Sequence, residues 1–347
     1  MIKASVVGAS GYGGAELIRL LRAHPEVEPV AFFSRTFEGR PLAEAWPQLS
    51  EGAFHDLERA IAEADVVFLA TPNGVAMELA PRILEAGKRV IDLSADFRLP
   101  REVFEAWYRM PHRAEALLPE ARYGLVELHR PELPGARLVA NPGCYVTAAT
   151  LALSPLAAEG LIEALLVNAA SGVSGAGRGA EGTAFAEVNE DYRPYKPAGV
   201  HRHTPEIEQN LGRVAAQGRW VKTNGPARPL RLTFVPHLVP MTRGILVTAY
   251  VRLREDLEES ALFERYRQFF AGEPFVRVSE ALPRTKGVFA ANTTWISLRK
   301  DARTGWVVVF AAIDNLVKGA AGQAVQNMNV VFGLEETLGL SAEGLWP

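Results

Sequence analysis

From Ile2 to Ala140, short apolar runs alternate with amphipathic stretches. Ile2 to Val7 is apolar and stops at Gly8-Ala9-Ser10-Gly11-Tyr12-Gly13-Gly14. The stretch that follows puts Ala15, Ile18 and Leu21 on one face of a helix. Val27 to Phe33 ends at Ser34-Arg35-Thr36, and Asp65 to Ala70 breaks at Thr71-Pro72-Asn73-Gly74. A helical stretch from Val75 to Glu85 leads to Arg89 to Leu93, then to Ser94-Ala95-Asp96-Phe97-Arg98. Strands alternating with helices of this length predict βαβ units and a parallel, doubly wound sheet.

The pattern changes at Asn141-Pro142-Gly143-Cys144. Leu165 to Ala170, Leu230 to Val235, Gly244 to Leu253, Trp295 to Leu298 and Trp306 to Ile313 read as strands without regular helical crossovers. That predicts an α+β domain with a mixed or largely antiparallel sheet. The expected organisation is a nucleotide-binding domain over residues 1–143, a catalytic and oligomerisation domain over 144–315, and a C-terminal helix in 316–347 that returns to the first domain. Two domains also suit 347 residues, more than one core usually organises.

Composition narrows the function. With 48% hydrophobic and 22% charged residues the chain is of ordinary globular type. A net charge of −3 and the lack of a basic run argue against nucleic acid or an anionic membrane as partner. No signal-like or membrane-spanning stretch is visible. The single cysteine permits no intrachain disulfide and no cysteine-based metal cluster, so no metal is expected, and the expected compartment is the cytoplasm.

Gly8, Gly11 and Gly13, with Gly14, lie where a strand opens into a helix, the place for backbone N–H groups to meet a pyrophosphate. The spacing departs from G-x-G-x-x-G, and the same glycines would serve a tight turn with no ligand. Ser10, Gly11, Tyr12 and Gly13, with Thr71 and Pro72 at the third strand's end, are the candidate cofactor contacts. At the second strand's end Ser34, Arg35 and Thr36 stand where an NAD-selective carboxylate would. A guanidinium and two hydroxyls suit the 2′-phosphate of NADP(H), although Arg35 also reads as a solvated surface residue.

Cys144 follows Gly143 at a second strand-to-helix turn. A lone cysteine is commonly a small core residue. At a helix N-terminus, aligned N–H groups favour its thiolate and make it a candidate nucleophile. His201 and His203, two apart, share a side of an extended segment before Thr204, which reads as an N-cap with Pro205 at the first helical position. Either histidine would serve as acid/base or as a structural hydrogen-bonder. Arg98, Arg178 and Arg243 can each bind a phosphate or carboxylate bidentately, or form salt bridges instead.

Val139-Ala140-Asn141-Pro142-Gly143-Cys144-Tyr145-Val146-Thr147-Ala148 resembles the active-site signature of the N-acetyl-γ-glutamyl-phosphate reductases. These are grouped with aspartate-semialdehyde dehydrogenases and share the architecture of the phosphorylating glyceraldehyde-3-phosphate dehydrogenases. The resemblance runs nearly end to end. It takes in Asp92 to Arg98, Ser171-Gly172-Val173-Ser174-Gly175-Ala176-Gly177-Arg178, His201-Arg202-His203-Thr204-Pro205-Glu206, Pro236 to Met241 and Asp314-Asn315-Leu316-Val317-Lys318-Gly319.

The resemblance implies an NADPH-dependent reduction of an acyl phosphate to a semialdehyde through a thioester on Cys144. It places the base in the histidine motif, assigned to His203, and the nicotinamide near Ser171, Gly172 and Asn315. Arg98, Asn141, Arg178, His201, Glu206 and Arg243 are its substrate-side candidates. A homo-oligomer, dimer or tetramer, is expected. The rivals are a reductase of carrier-protein-linked aminoadipyl phosphate, aspartate-semialdehyde dehydrogenase, and a non-catalytic NADP-binding sensor.

Overall fold

The computed structural model describes residues 1–346. The chain divides into two compact units. The first comprises Met1–Val126, Arg130–Gly143 and Ala320–Leu340; the second comprises Glu127–His129, Cys144–Gly319 and the chain from Ser341.

In the first unit β1 (Ile2–Val7), β2 (Val27–Phe33), β3 (Val66–Leu69), β4 (Arg89–Asp92), β5 (Arg122–Tyr123) and β6 (Leu138–Ala140) form one sheet in the order β2-β1-β3-β4-β6-β5. Every pairing is parallel. β3 and β6 are buried at each position, as a sheet covered on both faces requires. One side of the core joins Ala4, Leu17, Ile18 and Leu21 to Ala324, Val325 and Met328 of the helix Gly322–Val331.

The C-terminal segment departs from expectation. In place of one helix over 316–347, a π-helical turn, Val317–Ala321, precedes the α-helix Gly322–Val331. The wide turn closes because Asp314 Oδ1 accepts the Leu316 and Val317 N–H groups while its carbonyl accepts from Gly319 N. Gly333, at φ +70°, then ends the helix. Leu316 to Gly319 and the residues after Leu340 therefore belong to the second unit, not to the returning helix.

The second unit holds β7 (Ile162–Ser171), β8 (Arg193–Pro194), β9 (Thr233–Leu238), β10 (Ile245–Leu253), β11 (Val276–Val278), β12 (Thr294–Asp301) and β13 (Trp306–Ile313). Their order is β11-β12-β13-β10-β7-β9-β8, mixed in direction. The helix Cys144–Ala158 packs on β10 and β13 and against the helix Thr204–Gln217. β10 alternates buried and more accessible positions, so one face of the sheet is covered and the other is not. On the open face Tyr250 lies opposite Leu166 and Val308, and Thr248 opposite Asn168 and Phe310. Among the described residues no helix is long and apolar enough to cross a membrane.

Candidate active site

In the first unit β1 ends at Gly8, whose φ of +88° and whose neighbours both demand glycine. A Cβ there would lie 2.2 Å from the Ala70 carbonyl oxygen. Gly14 is equally closed: a Cβ would meet the Gly8 oxygen at 2.4 Å. Gly13 differs, since a Cβ would meet nothing within 4 Å. Gly11 is the N-cap of the helix Tyr12–Ala23 and has no side-chain cap. Gly8 and Ala9 donate to the Phe33 carbonyl, which ties the turn to the end of β2. Ser10 and Ser34 join their hydroxyls at 2.7 Å. Tyr12 rests beside Trp46, whose indole N–H donates to the Ala9 carbonyl.

Arg35, Thr36 and Pro72 are exposed. Thr71 Oγ1 is buried with no hydrogen-bond partner among the described residues. A nicotinamide dinucleotide fits this turn: an open helix N-terminus at Gly13, an unmatched hydroxyl at Thr71, and an exposed guanidinium at the end of β2.

Arg98 and Asn141 are occupied otherwise than the sequence led one to expect. Arg98 is buried, its Nε donating to the Asn141 carbonyl at 2.7 Å and an Nη to the Leu93 carbonyl at 2.6 Å. The Asn141 amide donates to the Ala320 carbonyl and accepts from Asn327. Both side chains thus hold main chain in the first unit. Beside them Asp92 is fully buried and accepts from the Ser94 amide and hydroxyl. Burial, reinforced by the Asp96 carboxylate, pushes Asp92 up to about 7. Asp96 accepts from the Gly74 and Met77 amides at the start of the helix Ala76–Glu85, and burial raises it too.

In the second unit Cys144 is half-buried and begins a helix whose residues Tyr145 to Ala157 are all buried. The Tyr145 ring lies 5.5 Å from that of His201 and 5.9 Å from that of His203, and its hydroxyl accepts from Tyr195 at 2.8 Å. Burial raises both tyrosines, so both phenols stay protonated and act as fixed dipoles.

The two histidines differ. His201 is buried and its Nδ1 accepts from the His203 amide at 3.1 Å, which leaves the ring proton on Nε2. Burial, then the nearby His203, Lys196 and Arg202, lower His201 to about 2. His203 is half-buried and itself occupies the N-cap of the helix Thr204–Gln217, with Thr204 the first helical residue and not the cap. Glu206 is buried in that first turn.

Ser171, Leu238, Ile245 and Ile313 end or begin adjacent strands at one edge of the seven-stranded sheet. The loops leaving that edge are stitched together. Gly172 donates to the Gly244 carbonyl, Val173 to Met241 and Ser174 to Thr242. A Cβ on Gly172 would lie 2.8 Å from the Arg243 nitrogen. Ser171 Oγ donates to the Gly172 carbonyl. The Asn315 side chain accepts from Gly244 N at 2.7 Å and donates to Ser174 Oγ at 2.9 Å, which binds all three loops. Arg243 approaches Asp314 at 3.7 Å, while Arg178 is exposed on its glycine-rich loop.

The candidates fall into two groups. Cys144, His201, His203, Glu206, Ser171, Gly172, Asn315, Arg178 and Arg243 belong to the second unit, and the Gly8 turn, Ser34 to Thr36, Thr71, Pro72, Arg98 and Asn141 to the first. Sequence reasoning passed over Tyr195. Tyr195 reaches Tyr145 across fifty residues with no motif to announce it.

Residues 3–136 match the family described as semialdehyde dehydrogenase, NAD binding domain, and residues 144–315 match semialdehyde dehydrogenase, dimerisation domain. The chain belongs to the semialdehyde dehydrogenase family. It is 63% identical, over 99% of each chain, to an N-acetyl-gamma-glutamyl-phosphate reductase of Thermus thermophilus. It is also 50% identical to one of Symbiobacterium thermophilum, covering 99% of this chain and 98% of the relative. The fold resembles aspartate semialdehyde dehydrogenase II of Vibrio cholerae at a TM-score of 0.69 and 18% identity, covering 95% of this chain and 98% of that one. A Candida albicans aspartate semialdehyde dehydrogenase with NADP matches at 0.69 and 17%, with the same coverage.

Proposed function

We propose that the chain reduces N-acetyl-L-glutamyl 5-phosphate with NADPH, giving N-acetyl-L-glutamate 5-semialdehyde and inorganic phosphate. The observation that carries this is the 63% identity over 99% of both chains, with Cys144 and the paired histidines in place. The Cys144 thiolate attacks the acyl carbon, its sulfur–carbon bond forms as the carbon–oxygen bond to phosphate breaks, and a thioester results. Arg178 and Arg243 are the cations assigned to the substrate's phosphate and carboxylate. The nicotinamide, when bound, supplies the hydride that a thioester accepts far more readily than a carboxylate does. Arg35 and Thr36, exposed at the end of β2, support selection of NADP(H) through its 2′-phosphate.

Proton transfer is assigned to His203. His201 is held neutral and its Nδ1 is engaged, so it does not take up a second proton near pH 7. His203 keeps a partly exposed ring at the start of its helix. His201 then acts as a prop for His203, and Arg98 and Asn141 are assigned to holding main chain, not substrate.

The test is a panel of acetylglutamyl, aspartyl and carrier-linked aminoadipyl phosphates, assayed with NADPH and NADH. Turnover of the first with NADPH, at least tenfold above the rest in kcat/KM, is expected. Preference for another acyl group would overturn the substrate.

Assembly follows from the second sheet. The open face bearing Leu166, Tyr250, Val308 and Phe310 belongs to a domain whose family description is dimerisation, and a second copy of this face is its assigned occupant. Tyr250→Asp should lower the mass in solution by light scattering; an unchanged mass would remove this face from the interface.

A further inference from the structure

The segment that follows Asn315 ends against the nucleophile. A Cβ on Gly319 would lie 2.8 Å from Cys144 Cβ and 3.3 Å from Cys144 Cα, with Ile313 Cδ1 at 3.2 Å on another side. Carbon atoms in contact sit at about 3.5–4.0 Å, so a methyl there must displace something. Gly319 does not have a left-handed φ. Its lack of a side chain serves proximity, not backbone freedom.

Neither partner yields cheaply. The helix behind Cys144 is buried from Tyr145 to Ala157 and cannot slide without repacking the core. On the other side, Gly319 N donates to the Asp314 carbonyl at 2.9 Å. The Asp314 carboxylate accepts from Leu316, Val317 and Ala290 amides. The neighbouring Lys318 is fully buried, its ammonium 2.5 Å from the equally buried Glu127 carboxylate and over the Phe275 ring. Asp314 and Lys318 thus clamp the turn that leads into Gly319.

We propose that Gly319 is a positioning residue for Cys144: main chain at Gly319 forms a fixed wall against the Cys144 Cα and Cβ and holds the sulfur at the start of its helix. This rests on Cys144 being the nucleophile of the proposed reaction. A displacement near 1 Å at a reacting group costs on the order of 10² in rate.

The experiment compares wild type with Gly319→Ala. Three quantities are read: kcat, NADP dissociation constant, and the rate of iodoacetamide alkylation of Cys144 at pH 7. Turnover is expected to fall at least tenfold and alkylation to slow at least tenfold, with NADP binding within about threefold. A merely loosened fold would expose the thiol and speed alkylation, which overturns the proposal. So does lost turnover with alkylation unchanged.

Because Gly319→Ala destabilises, a double-mutant cycle reads the contact by thermal melting. Adding Cys144→Gly removes the crowded Cβ and should restore the melting temperature more than Ile313→Val does. The reverse ranking would assign Gly319 to packing against Ile313 and sink the idea. If wild type failed to turn over acetylglutamyl phosphate but the alkylation result held, the substrate would fall and the positioning role stand.

Discussion

Two strand-to-helix turns carry the candidate chemistry, one at Gly8–Tyr12 and one at Asn141–Cys144, and they are held by different means. The first is shaped by main chain: Gly8 and Gly14 admit no Cβ against the backbone of residues 70, 71, 8 and 9, and Gly8 and Ala9 donate to the Phe33 carbonyl. The second is shaped by side chains from far along the chain. The Asn141 carbonyl is gripped by Arg98, its amide by Asn327 and Ala320, and Cys144 is walled by Gly319. A turn closed by main chain leaves its helix start open to a phosphate. A turn that carries a candidate nucleophile is braced by side chains from several directions.

Substitutions at six positions probe that contrast. Cys144→Ser should keep the fold and lose about 10⁴-fold in turnover, about 5.4 kcal/mol of barrier, since a hydroxyl has no comparable anionic form near pH 7. Steady-state kinetics beside a melting curve check both halves; a variant above one per cent activity rejects the thioester.

Next in size is the local turn. Gly8→Ala adds a left-handed residue and a backbone clash, together roughly 2–5 kcal/mol, measurable by urea unfolding. Gly13→Ala should cost within about 0.5 kcal/mol of stability yet weaken NADP binding. Equal unfolding penalties for the two would erase the distinction drawn between them.

In the braced turn, Arg98→Met should cost roughly 1.5–3 kcal/mol by stranding the buried Asn141 carbonyl and the part-buried Leu93 carbonyl. No change in the urea midpoint would show that the brace lies elsewhere.

Asp92 gives a pH signature beside it. Its carboxyl is raised from 3.8 to about 7, so across that window the folded state holds a proton that the unfolded state has lost. Stability should therefore decline as pH rises through the window and level off above it. Asp92→Asn should flatten the decline; an identical slope in the variant would assign it to other groups.

The smallest effect belongs to the exposed Arg35. Arg35→Asp should raise the KM for NADPH about tenfold, about 1.4 kcal/mol, and leave that for NADH little changed. Parallel changes for both would detach Arg35 from the 2′-phosphate.

The same contrast explains what was legible in the sequence. The parallel sheet showed because β3 is a continuous apolar run and β1 and β4 are short, mostly apolar runs between helical stretches, and the first turn because four glycines cluster within seven residues. Cys144 showed as a helix start. The bonds of Arg98 and Asn141 did not, since an arginine on a carbonyl looks in sequence like an arginine awaiting a phosphate. The Asn315 amide between Gly244 and Ser174 depends on three separated loops. β5 and β8 are two residues long, too short for any period to register. The C-terminal helix was misjudged at its start because the π-helical turn there is built by Asp314.

The first unit is discontinuous in sequence, since residues 320–340 complete it after the whole of 144–319. On a ribosome adding about 5–20 residues per second, that intervening segment takes on the order of ten to forty seconds to make. Through that interval Ala4, Leu17 and Leu21 have no Ala324, Val325 or Met328 to close over them. The half of the protein born first therefore waits for most of the other half to be made, and its sticky inner surface is the one that folding helpers in the cell would have to shelter.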